Sequence, residues 1–290
     1  MKHTSLLSLL SYACVAQAAI GCPVDPPPGY TPVMMFDWRN GVPPRSVQAP
    51  EPRSITVAAV ERGGPPMLNV RIDRNDDFAH VANGTPRAEI VLNRVTFVNG
   101  DDYVLQWSTR LPDDFEVDDA HPEVITQILQ LRPPGSPPFS LLLQGNRYGV
   151  EVRSYAKQVP RGVTFGAPAD DRGKLVCWRL HYVPDPTGDD AVTELYRNGT
   201  LVYSERGLPN MYAGDARPYL KMGIYKWAWL SGPDKVTRRA ISFGPVVLSK
   251  NTEHRPYDDW ACAACTPMPR PAQTDAVISR SRISNTRPTY

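Results

Sequence analysis

The chain has 290 residues, with 32 Lys and Arg against 30 Asp and Glu and a formal net charge of +2. That balance, with no dense Lys/Arg run, argues against nucleic acid as a partner. No run beyond the first eighteen residues is apolar enough to span a bilayer, so no membrane partner is expected.

Residues 1–18 read as a signal peptide. Lys2 gives the positive start, Leu6 to Val15 the apolar stretch, and Ala16-Gln17-Ala18 the small-residue cleavage pattern. The mature chain is therefore expected to be secreted, extracellular and monomeric. Its 31 prolines concentrate at 23–32, 43–52, 133–138 and 267–288, where strands are disfavoured. Residues 19–33 read as an extended lead, and 34–265 as one all-β domain opening on FDWRNG. Residues 266–290, with Arg270, Arg280, Arg282 and Arg287 against Asp275, read as a disordered basic tail.

Along the domain, short runs of period two alternate with turn residues: 88–97, 103–110, 124–131, 140–144, 148–155, 176–183 and 241–248. ELYRNGTLVYSE is two such runs joined by Asn198-Gly199, a strong hairpin signal. Short antiparallel strands at this spacing imply a sandwich or jelly roll with a groove on one sheet. Asn83 and Asn198 each open an Asn-Gly-Thr glycosylation acceptor. His181, in an apolar run beside Trp178, reads as a satisfied core or edge histidine. The acidic run before His121 (Asp113, Asp114, Glu116, Asp118, Asp119) reads as a solvated loop.

Three runs place polar groups on alternating strand positions. In RAEI, Arg87 and Glu89 share a face, which Asn93 extends; in ITQILQL, Gln127 and Leu129 share one. In YLKMGIYK, Tyr219, Lys221, Gly223 and Tyr225 point one way, while Leu220, Met222 and Ile224 point into a core. A guanidinium, an amide, an ammonium and a phenol on strands suit a site that holds a carboxylate and moves a proton, because a nearby cation favours the ionised phenol. Lys226 closes the run and, with Glu89, Asn93 and Tyr219, reads as a substrate-binding residue.

After loss of Cys14 with the signal, Cys22, Cys177, Cys262 and Cys265 make an even set in an oxidising compartment. Three pairings are open, and the favoured one joins Cys22 and Cys177 each to one of the C-terminal pair. A zinc or redox role for the CxxC lacks a second ligand pair.

R-x-E, Q-I-x and Y-x-K-x-G-x-Y, in that order, resemble the signature of jelly-roll polysaccharide lyases. YVLQWSTRLPDDFEVDD, PEVITQILQL, CWRLHYV and ARPYLKMGIYKWAW resemble the heparin lyase I-like and glucuronan lyase group (polysaccharide lyase family 20), over about residues 34–249. The resemblance implies an antiparallel β-jelly roll (a concanavalin-like sandwich) with a concave groove. It also implies β-elimination at a 4-linked uronic acid in an anionic polysaccharide, with no cofactor for the chemistry and room for a structural calcium.

Carried over by position, Arg87 and Gln127 hold the carboxylate, Tyr225 is the proton-transferring phenol and Lys221 favours its ionised form. Glu89 orients Arg87, and Tyr219 walls the groove or packs beneath it. Where such lyases commonly carry His two residues after the motif glutamine, this chain has Leu129. Tyr225 then serves as both base and acid, which fits glucuronate or mannuronate, or His80 supplies an imidazole from an approach loop. The competing readings are a catalytically impaired glycan-binding jelly roll, with Trp107, Trp178, Trp227 and Trp229 as stacking surfaces, and a glycoside hydrolase using Glu89 with Glu151 or Glu194.

Overall fold

The computed structural model describes residues 21–60, 64–92 and 95–257. The expected signal peptide and basic tail lie outside these residues, as do Asn93, Cys262 and Cys265. The strands, in chain order, are β1 (Tyr30–Phe36), β2 (Val47–Gln48), β3 (Ile55–Ala59), β4 (Pro66–Asp73), β5 (Arg87–Leu92), β6 (Tyr103–Arg110), β7 (Glu123–Leu129) and β8 (Phe139–Gln144). They continue as β9 (Arg147–Val152), β10 (Arg161–Phe165), β11 (Leu175–Val183), β12 (Val192–Arg197), β13 (Thr200–Arg206), β14 (Tyr219–Tyr225), β15 (Arg238–Phe243) and β16 (Val246–Asn251).

Two antiparallel sheets result. One runs β10-β9-β8-β7-β14-β5-β2; the other runs β13-β12-β11-β6-β15-β4-β3, with β16 also on β6 and β1 on β16. The neighbours β7, β14 and β5 are far apart in sequence, as a jelly roll requires. Period two sorts each strand. On β5 Ala88, Ile90 and Leu92 face inward, on β14 Leu220, Met222 and Ile224, and on β11 Val176, Trp178, Leu180 and Tyr182. Side chains of both sheets thus form one core between the layers. Trp107 and Trp178 stack within it at 6.2 Å, so neither is a glycan platform.

The Asn198-Gly199 hairpin forms as the sequence signals. Both residues have positive φ (50° and 80°), and Arg197 pairs with Thr200. Three expectations need correction. Residues 30–33, expected within the extended lead, already belong to β1, which pairs with β16. The 241–248 run is two strands, because Gly244 and Pro245 interrupt the ladder where proline has no N–H to give. The disulfide is Cys22–Cys177, tying the N-terminal segment to β11, so neither cysteine reaches the C-terminal pair.

Candidate active site

The outward face of the β10-to-β2 sheet carries the polar row. β14 lies between β7 and β5, and its register sets Tyr225 opposite Arg87, Gly223 opposite Glu89, and Lys221 opposite Gln127. Gly223 leaves the middle strand bare at the point where Gln127 and Glu89 reach towards each other from either side.

Glu89 is the hub. Lys221 Nζ lies 2.6 Å from its Oε2, Arg87 Nη1 donates to the same oxygen at 3.3 Å, and Gln127 Nε2 donates to Oε1 at 2.5 Å. All four side chains are almost fully buried. Burial pulls the Lys221 ammonium below its ordinary pKa, with Glu89 opposing and Arg87 adding to the fall. With Lys221 protonated, two cations face one carboxylate, and the cluster is one anion short of neutrality.

Arg87 also donates to Thr85 Oγ1, and its Cζ lies 4.0 Å from the centroid of the Tyr225 ring. Trp227 flanks that ring at 5.8 Å. The expected Lys221–Tyr225 partnership is therefore corrected. Four residues along a strand separate the two by about 13 Å, whereas Arg87 stands directly across from the phenol. The cation on Tyr225 is the guanidinium, and Lys221 serves Glu89. The Glu89 carboxylate bonds Arg87, Lys221 and Gln127 at once.

Tyr219 lies at the other end of β14, opposite Leu129, with both part-exposed on the same face. Burial raises the Tyr219 pKa and Glu89 adds to it, so the phenol stays protonated near neutrality.

His80 is exposed, with Nε2 3.0 Å from the Pro50 carbonyl oxygen and Nδ1 3.9 Å from Asp77. Those contacts anchor it beyond the β2 edge and outside the Glu89 cluster. Lys226 is not a groove residue. It is fully buried, its ammonium bonds Asp118 and, at 2.7 Å, the His121 carbonyl, and its backbone N–H donates to Pro86 O at 2.9 Å. The strand alternation that turns Tyr225 outward sends the next side chain inward.

Asp118 is accordingly a buried ion-pair partner rather than a solvated acid. Asp118, His121 and Asp234 group their ligand atoms within 4.8 Å, but the Lys226 ammonium already occupies their midst, 3.9 Å from Asp234. An imidazole, two carboxylates and an ammonium do not suit a hard, oxygen-seeking calcium ion.

His181 is the satisfied histidine expected, on the other sheet between Asp102 (3.0 Å) and Glu194 (3.1 Å). Glu194 is thus a sheet away from Glu89, and Glu89 is fully engaged, so the alternative hydrolase pairing of these two is not formed. Trp229 is buried with its N–H on Val236 O, which leaves Trp227 as the only part-exposed ring of the four tryptophans named. The Thr85 contact and the Arg87–Tyr225 stacking had no signal in the sequence, because both depend on strand register.

A family model described as polysaccharide lyase matches residues 45–242. Among solved structures, the endo-β-1,4-glucuronan lyase of the fungus Trichoderma reesei is similar at 17% identity and a TM-score of 0.59, over 75% of this chain and 95% of that one. A family 7 alginate lyase, A1-II′, solved with substrate, is similar at 12% identity and a TM-score of 0.51, over 71% and 85%. No curated protein sequence matches the chain.

Proposed function

The chain belongs to the polysaccharide lyase family, and from that premise we propose that it cleaves a 4-linked glucuronan-like or mannuronan-like polymer by β-elimination, with Tyr225 moving the proton. The observation carrying this reading is the Glu89 cluster. Arg87 and Lys221, held by one carboxylate, form a buried cluster of net positive charge whose field draws a uronate carboxylate to the part-exposed Tyr225 phenol against Arg87.

Neutralising the C6 carboxylate lets the C5–H bond break, because the resulting enolate-like charge is stabilised by preorganised donors. The Tyr225 phenolate takes that proton, the C4–O4 bond breaks as C4=C5 forms, and the same phenol returns the proton to O4. The Arg87 guanidinium keeps a permanent positive charge on the ring that carries negative charge during this transfer. With no imidazole beside Gln127, a single phenol serves both steps only when the C5 proton and O4 lie on one side of the ring. That is the stereochemistry of glucuronate and mannuronate, and not of their C5 epimers. We further propose that the enzyme is secreted and takes its substrate outside the cell.

The test is incubation with pure glucuronan, polymannuronate, polyguluronate, heparin and hyaluronan while the ultraviolet absorbance of the unsaturated 4,5-product is followed. A rise with glucuronan or polymannuronate supports the reading. Retention on immobilised polymer without any rise would replace it with a glycan-binding role.

A further inference from the structure

The outward face carries a second polar pair, two strands from Gln127. Lys221, Gln127, Ser140 and Glu151 form one lateral row across β14, β7, β8 and β9. At the usual interstrand spacing Glu151 stands about 10 Å from Gln127. Arg153 Nη2 holds Glu151 Oε2 at 2.6 Å. Among the described residues no protein donor holds the other Glu151 oxygen, and the side chain is 29% exposed against 3% for Arg153.

The ground beside Glu151 is open towards β10, where Gly162 is exposed. Gly162 stands directly opposite on β10, and Gly149 precedes it by two residues on the same face. Gly162 is demanded by the backbone, since a Cβ there would meet Val150 O at 1.8 Å. Gly149 is not: a Cβ would sit an ordinary 3.7 Å from Leu142, with no left-handed φ to forbid it. Gly149 is itself buried beside Leu142, so the open ground next to Glu151 is the exposed Gly162 alone.

We infer that Glu151, clamped by Arg153, is a sugar-binding residue that accepts hydrogen bonds from the free hydroxyls of a ring lying over the exposed Gly162. This rests on the proposed polyuronate reading and extends the site along the row. An unpaired carboxylate would repel a polyanion, but Arg153 cancels its charge and leaves an acceptor-only group. Such a group reads hydroxyls and rejects a ring whose hydroxyls there are acetylated or sulfated.

The test uses calorimetric binding of a β-1,4-linked glucuronic acid hexamer to the Tyr225→Phe protein, in which turnover is suppressed. Adding Glu151→Ala is expected to raise Kd about tenfold, the worth of one charge-assisted hydrogen bond at a part-exposed site. Glu151→Gln, which keeps an acceptor oxygen, should stay within about threefold.

An unchanged Kd for Glu151→Ala overturns the inference, as does a tighter one, which is what removal of a merely repulsive charge would give. Equal binding of an O-acetylated hexamer, or no binding at all, also overturns it. Failure of the elimination reading shows separately: the wild-type protein gives no ultraviolet product while hexamer binding still depends on Glu151.

Discussion

Gly223 on β14 stands directly opposite Glu89 on β5, and a Cβ on it would lie 2.6 Å from Glu89 Cα and 2.2 Å from the Ala88 carbonyl oxygen. Its φ of 145° is one that side-chain-bearing residues rarely adopt. The β14–β7 ladder also slips between Met222 and Tyr225, so the glycine sits in an irregularity beside the hub. Gly223→Ala is expected to cost about 2–3 kcal/mol in urea unfolding and to remove activity even from the folded fraction, because β5 must shift under Glu89. Gly149→Ala is the control, expected to change stability by about 0.5 kcal/mol or less.

Tyr225→Phe removes one hydroxyl and leaves the ring that Arg87 covers. Turnover should fall by about 10²-fold or more, the usual worth of a placed acid–base group. The thermal midpoint should stay where it is. Full activity in this variant would remove Tyr225 from the chemistry and return the Glu89 cluster to a structural role.

Glu89→Gln leaves Lys221 and Arg87 buried together without their carboxylate. The side chains of Glu89 and Lys221 are each 2% exposed, so solvent cannot relieve the pair, and the loss should be about 3–5 kcal/mol. Lys221→Met should cost less in the Glu89→Gln background than alone, because the second change removes a charge that has lost its partner. Strictly additive losses in such a double-mutant cycle would mean the two groups do not act as a unit.

The all-β architecture, the hairpin at Asn198-Gly199 and the outward face of YLKMGIYK were all legible, because period two and turn chemistry are local. So was the gathering of Arg87, Gln127 and Tyr225, which three spaced motifs signalled. Partner choice was not legible. Arg87 rather than Lys221 meets the phenol because the offset between β14 and β5 decides which cation stands across from it, and no single strand encodes that offset. Lys226 was misplaced for a related reason: β14 ends at Tyr225, and the following residue turns inward to Asp118. Cys22–Cys177 depends on where the N-terminal segment crosses β11, which composition does not encode.

His181 makes stability depend on pH. Burial alone would lower its pKa, but hydrogen bonds and charge from Asp102 and Glu194 outweigh that and raise it. Its contribution is therefore complete below the unfolded value of about 6.5 and is lost as pH rises through the higher folded value. Glu194 is opposite in sign. Burial pushes it up, yet His181 and Arg206 hold it at about 2, so its contribution is present above about pH 4.3 and is lost as pH falls towards 2. The melting temperature should form a plateau with a fall on each side. His181→Gln should flatten the alkaline limb in melts recorded at rising pH above about 6.5; an unaltered limb would assign it to other groups.

Leu129 is the residue through which substrate choice can be tested. It shares the outward face with Gln127, two residues away on β7, and is part-exposed opposite Tyr219. A leucine there gives no base on that side of a bound ring, so a phenol acting alone is restricted to sugars whose C5 proton and O4 lie together. Leu129→His introduces an imidazole at this position, with an unperturbed pKa near 6.5 suited to accepting a proton at neutral pH. The variant is expected to release unsaturated product from polyguluronate, where the parent protein releases none, and to show a new ionisation in the pH dependence of kcat/KM for that substrate. It should keep the parent's activity on glucuronan within about tenfold, since Tyr225 and the Glu89 cluster are untouched. If polyguluronate stays intact while glucuronan is still cleaved, the absence of an imidazole beside Gln127 is not what limits the substrate. The restriction would then lie in how the Arg87–Lys221 pair seats the carboxylate.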